Sequence, residues 1–160
     1  MDTYACYADL ANAEQEGVDY EKFSLVVAGA QVAVIAPHGG GIEPKSDAIA
    51  AAIAGMEFSY YCFRGCKPAK NRTLHITSHR FDEPDCVALV AAHTWVLAVH
   101  GCNDPGESVY LGGLDAALID ELAAVTRRVE LARSFLDDAV RSCAMVRQMR
   151  LVQVLHLAGR

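Results

Sequence analysis

The chain has 160 residues, 52% of them hydrophobic and 21% charged, with a formal net charge of −6. That length supplies one domain with a real core, and the composition excludes a disordered segment. The acidic balance excludes binding to nucleic acid through bulk charge.

In chain order, residues 2–22 are polar and read as a short helix and a loop. Residues 23–36, "FSLVVAGAQVAVIA", read as a strand, a turn near Gly29 and a second strand that is apolar throughout. A strand without polar alternation is buried on both faces, as in the middle of a sheet. After the loop "PHGGGIEP" comes "SDAIAAAIAG", a helix with Ser46 or Asp47 at its N-cap and Gly55 as its stop. "MEFSYYCF" at 56–63 reads as a strand, "RGCKPAKNR" as a loop and "TLHITS" as a short β-prone run. "FDEPD" is a turn in which Asp82 and Glu83 set the bend or cap the helix that follows over 85–92. "TWVLAVH" at 94–100 is an apolar strand, "VYLGG" is brief and β-like, and "LDAALIDELAAV" opens a helix. The tail 121–160 reads as helical.

The alternation of strand, loop and helix predicts a single α/β domain over 1–160, with a central mixed or parallel sheet flanked by helices. The six cysteines include no CxxC pair in a chain far longer than a disulfide-stapled module, so reduced thiols in a cytoplasmic protein are expected. No secretory signal is visible at the start. The longest apolar run, 86–99, is too short to span a bilayer, so no membrane partner is expected.

Two apolar strands end in the same dipeptide, His38-Gly39 and His100-Gly101. In open α/β sheets ligands bind outside the carboxyl ends of the strands, where these residues would meet. Glu43, beyond the three glycines, adds a carboxylate. Two imidazoles and one carboxylate form a catalytic zinc set with a position left for water. The same pattern also suits a phosphate-cradling glycine loop or two satisfied histidines at a sheet edge.

The stretches "VAVIAPHGGGIEP", "KPAKNRTLHITSHRFDEP" and "VLAVHGCND…VYLGGLD", in that order over residues 18–120, resemble the poly-γ-glutamate hydrolase family, found in phages and prophages. The resemblance implies a zinc-carboxypeptidase-like fold, hydrolysis of γ-glutamyl amide bonds, and Zn²⁺ held by His38, Glu43 and His100. It places the general base late in the chain, in a "LELxR"-like strand, which nominates Glu130 in "VELARSF". An apolar series from Leu118 to Cys143 at spacings of three and four reads Glu130 instead as a solvated helix residue. The family's "NICNRG"-like loop is not recognisable here. The alternative function is therefore an inactive relative that binds zinc or polyanion.

From Phe58 to Phe81 there is no acid but five cations, Arg64, Lys67, Lys70, Arg72 and Arg80. Such a segment steers a polyanion, and Arg72, Lys70, Arg80 and His75 are the candidate substrate contacts. His75 either supports the site or packs in the run, while His93 and His156 read as structural. A monomer is expected, cytoplasmic until host lysis releases it onto poly-γ-glutamate.

Overall fold

The apolar segment Val32–Gly40 (β2) lies at the centre of the molecule, and its residues from Ala33 to Gly39 are buried. The computed structural model describes residues 2–102, 109–125 and 150–157. The other strands are Tyr20–Leu25 (β1), Ser59–Gly65 (β3), Trp95–Cys102 (β4), Val109–Gly113 (β5) and Arg150–Leu157 (β6). They form one six-stranded sheet in the order β1-β3-β2-β4-β6-β5. The four inner strands run parallel, and β1 and β5 close the edges antiparallel. This is the expected mixed sheet flanked by helices.

Alternation along β2 builds two layers. Ala33 and Ile35 join Tyr61, Phe63, Val96 and Ala98 in a core covered by the helices Tyr7–Ala13 (α1) and Pro84–Ala91 (α3). Val34 and Ala36 pack on the other face against Ala50 and Ala54 of the helix Ser46–Ala54 (α2). Ile119, Leu118 and Leu122 of the fourth helix, Ala116–Val125 (α4), cover Leu111 of β5. α3 is capped as its sequence promised, with the Glu83 side chain accepting from the Cys86 amide and Pro84 in the first turn.

Three sequence expectations need correction. The tail is not helical throughout: after α4, Arg150–Leu157 forms β6, hydrogen-bonded between β4 and β5. "LVQVLHL" is a short, β-branched, nearly continuous apolar run, and such runs suit inner parallel strands as well as helices. The β-prone "TLHITS" is no strand but lies across two 3₁₀ turns, Asn71–Leu74 and Ser78–Arg80. Both neighbours of β3 are already in place, and the Asn71 side chain folds the segment locally by bonding the Lys67 amide and carbonyl. α2 begins at Ser46 itself, with Lys45 in a left-handed conformation before it.

Among the described residues, no helix is long and apolar enough to cross a membrane. Among the described residues, Cys6, Cys62, Cys66 and Cys86 are free thiols.

Candidate metal centre

The chain leaves β2 through α2 to β3 on one side and later returns to β4 on the other. The carboxyl ends of β2 and β4 therefore flank a topological switch point, where open α/β sheets place their ligands. His38 stands at the first end and His100 at the second.

A bulge aims His38. β2 keeps its register with β3 from Ala33 to Ala36 and resumes at Gly39, with one extra residue between. Pro37, which has no N–H for the ladder, falls inside this irregularity. Strict alternation would send His38 toward α2 with Val34 and Ala36. Instead its ring stacks on His75, with centroids 4.2 Å apart, and meets the edge of Phe81 at 6.2 Å. Its Nε2 lies 2.8 Å from the Ile76 carbonyl, an acceptor, so Nε2 carries the hydrogen. The Nδ1 lone pair then points inward.

The turn after β2 brings Glu43 back. The Glu43 amide donates to the His38 carbonyl at 2.9 Å, and the Ser46 hydroxyl donates to the Glu43 carbonyl at 2.8 Å. Gly40 has φ +62°, and a Cβ there would sit 2.5 Å from the Gly65 carbonyl. The glycine run therefore serves close packing against β3 as much as the turn itself. Gly101 repeats the device, since its amide donates to Glu43 Oε2 at 2.9 Å and a Cβ there would press on the Glu43 side chain at 3.1 Å.

Three ligand-type groups converge. His38 Nδ1 is 3.1 Å from His100 Nδ1 and 3.3 Å from Glu43 Oε1, and His100 Nδ1 is 3.3 Å from Glu43 Oε2. All three residues are buried. His75 makes a fourth neighbour, its Nε2 3.8 Å from Glu43 Oε1, and His38, Glu43 and His75 together offer donor atoms compact enough for one ion. Burial alone would push the Glu43 carboxyl up, but hydrogen bonds and charge from His100 and His38 outweigh it and hold the group well below the usual carboxylate range.

The donor set fits a divalent cation. His38 Nδ1 and Glu43 Oε1 are both acceptors, and nothing stabilises two acceptors at 3.3 Å unless a proton or a cation lies between them. The separations of 3.1–3.3 Å, two of them to different oxygens of Glu43, are short enough for one ion to bridge the three groups. His100 Nε2 has the Ser78 hydroxyl at 3.4 Å as its outer partner, as His38 has Ile76.

The expected substrate contacts divide. His75 is at the centre itself. Arg80 reaches it only indirectly, its Nη2 2.9 Å from Asp2, whose other oxygen bonds His75. Lys70 and Arg72 stand exposed. Of the remaining cations of this segment, Arg64 faces Asp47 and Glu21, and Lys67 pairs with Glu14. His93 is structural as expected, bridging the Leu89 carbonyl and the Ser59 hydroxyl. Glu130, the expected base, lies outside the described residues, and so does the side chain of His156. An open cavity of about 560 Å³ between β1, β3 and α2, lined by Lys22, Asp47, Tyr60, Cys62 and Arg64 among others, contains none of the cluster.

No local pattern pointed to Asp2, 73 residues from His75, or to Ser78 and the Ile76 carbonyl. Gly101 could have been found from the repeated His-Gly.

The family model for poly-gamma-glutamate hydrolase matches residues 4–134. The chain belongs to this family. The UPF0714 proteins YndL and YmaC of Bacillus subtilis (strain 168) are 35% identical over 127 residues and 36% identical over 114 residues. These alignments take in 76% and 71% of this chain and 48% of each relative, so the chain spans about half the length of the curated relatives it matches. A solved bacteriophage poly-gamma-glutamate hydrolase superposes with a TM-score of 0.87 at 27% identity, over 98% of this chain and 79% of that one. A zinc-free apo structure of YndL gives 0.88 at 29% identity, over 99% and 81%.

Proposed function

We propose that this chain hydrolyses the γ-glutamyl amide bonds of poly-γ-glutamate, with zinc held by His38, Glu43 and His100. The observation that carries the reading is the convergence of two inward Nδ1 atoms and one ionised carboxylate within 3.1–3.3 Å at the sheet's switch point. Family membership and a structural neighbour solved in a zinc-free form support the metal and the substrate class.

Zinc held there supplies a Lewis acid for the scissile carbonyl and brings the pKa of water at the site to about 7. The chain's own groups do the positioning. Ile76 and Ser78 hold the outer nitrogens of the two imidazoles, and the Gly101 amide fixes one oxygen of Glu43. His75, half-buried beside them, presents Nε2 at the rim of the cluster. Exposed Lys70 and Arg72 offer counter-charge for the α-carboxylates of the polymer.

The test is zinc content and loss of polymer chain length in purified protein, before and after chelation and after zinc is restored. One zinc per chain with cleavage that chelation abolishes and zinc restores is expected. One zinc without cleavage would make the chain an inactive binder of the metal. No zinc uptake would end the reading.

A further inference from the structure

The carboxylate of Asp2, in the segment that precedes α1, is nearly buried, with 7% of its side chain exposed. It accepts four hydrogen bonds, and their division between its two oxygens is uneven. Oδ2 takes the Thr77 amide at 2.8 Å, the Thr77 hydroxyl at 2.6 Å and Arg80 Nη2 at 2.9 Å. Oδ1 takes His75 Nδ1 alone, at 2.9 Å. Three donors on Oδ2 suffice to anchor the segment to the 3₁₀ turns. The bond from Oδ1 does something else.

An ionised carboxylate only accepts, so His75 Nδ1 must carry the hydrogen. Neutral His75 then has its lone pair on Nε2, the atom 3.8 Å from Glu43 Oε1. Its ring is held in that pose from the other side by the stack on His38. Burial and the neighbouring His38 push the imidazole's pKa down, against the pull of Asp2 and Glu43. Burial opposes ionisation of Asp2, but its bonds from Thr77 and His75 prevail and hold its carboxyl far below the usual range.

We propose that Asp2 is a positioning residue of the metal centre, acting through His75: it selects the Nδ1–H tautomer and turns Nε2 toward the site as a hydrogen-bond acceptor. The donor it receives is an N–H or O–H at the mouth, such as the amide of the bound polymer or a water, and this last step rests on the proposed hydrolase reading. The tautomer does not.

The experiment combines nitrogen NMR of ¹⁵N-histidine-labelled protein, above the titration of His75, with cleavage kinetics in Asp2→Ala, Asp2→Asn and Thr77→Val. In the unmodified chain His75 shows the Nδ1–H tautomer. Asp2→Ala shifts it toward Nε2–H and lowers kcat about tenfold, the lower end for loss of an outer partner of a metal-site histidine. Asp2→Asn keeps an acceptor for the three donors at Oδ2 but turns its NH₂ toward His75 Nδ1, so it too shifts the ring toward Nε2–H and lowers kcat while retaining most of the stability. Thr77→Val removes a bond to Oδ2 only, so it lowers thermal stability without changing the tautomer. A His75 that stays Nδ1–H in Asp2→Ala overturns the proposal. So does a drop in kcat that Thr77→Val reproduces in full. If the chain cleaves no polymer at all, the hydrolase reading fails while the tautomer in the Asn and Ala variants still decides the role of Asp2.

Discussion

Glu43 and Glu83 invite comparison because each is buried, each precedes a proline and each stands shortly before a helix. Both carboxyls are held below their ordinary range, in both cases against burial. Their partners differ in kind. Glu83 receives the Cys86 amide at 2.8 Å and the Lys22 ammonium at 3.1 Å, a cation that brings its own charge and also lies over the Tyr7 ring. Glu43 receives one backbone amide and otherwise faces imidazole nitrogens whose outer atoms are already occupied. A buried charge that arrives with its counter-charge belongs to the structure. One whose facing imidazole nitrogens must share a proton or a cation with it has room for an ion supplied from outside, which makes it a site.

Exchanging the two carboxylates' chemistry tests that distinction with the largest effects. Glu43→Gln keeps the shape and an acceptor for the Gly101 amide but removes the anion. Zinc binding should be lost, and with it several kcal/mol of transition-state stabilisation, about a 10³-fold fall in cleavage rate. The metal-free protein should keep its fold at a modest loss of stability, since the Gly101 amide keeps its acceptor. Glu83→Ala should do the reverse. It removes a helix cap and strands Lys22, which keeps Glu16 at 3.5 Å and Asp85 at 3.6 Å, so the loss sits near the low end for a broken buried pair, about 3 kcal/mol. Calorimetric zinc titration should still find one site. If Glu83→Ala loses the metal and Glu43→Gln loses the fold, the division is wrong.

Acid titration sharpens the same contrast at smaller scale. Glu83's folded pKa lies below its unfolded value near 4.5, so the stability it confers is present above that pH and is lost as pH falls toward the folded pKa. Urea midpoints from pH 6 down to pH 3 should therefore fall for the unmodified metal-free protein. Glu83→Gln should flatten the slope by up to about 1.4 kcal/mol per pH unit, the share of one proton. Asp2 and Glu43 contribute with the same sign in both proteins and cancel in the difference. An identical slope in the two would show that the Cys86 amide and Lys22 do not hold Glu83 ionised.

The two glutamates also mark how far the sequence could be read. The strand ends at His38 and His100 were legible because an unbroken apolar run followed by His-Gly is a local pattern, and the α/β order fixed which ends would be neighbours. The cap at Glu83 was legible from "FDEP". Lys22 beneath it was not, because strand β1 brings it there from 61 residues away. The turn of His38 onto the His75 face was equally hidden, since it depends on one extra residue in β2 relative to β3. His75 was visible only as an ambiguous histidine in a β-prone run, and what gives it a place is the pairing state of strands distant in sequence. Reading the tail as helix failed for a related reason: "LVQVLHL" gains its partners only when β4 and β5 already exist.

The basic segment offers the smallest and most selective effect. Its five cations carry the same formal charge, yet Arg64, Lys67 and Arg80, the last of them a nominated substrate contact, each face an acid from another part of the chain. Their fields are largely cancelled at distances beyond the pair. Lys70 and Arg72 remain exposed beside the 3₁₀ turn that leads to His75. If long-range attraction draws the polyanion in, the charge that matters is theirs. Replacing both with glutamine should raise KM for poly-γ-glutamate about threefold at low ionic strength and leave kcat alone, as expected for exposed charges worth less than about 1 kcal/mol. The difference should close as salt shortens the screening length below about 10 Å. Arg64→Gln, with the same formal change, should leave KM near its starting value, because it removes a charge that Asp47 and Glu21 already answer. Equal shifts in the two variants would mean that net charge alone attracts the polymer, and that the pairing of the other cations has no bearing on its capture.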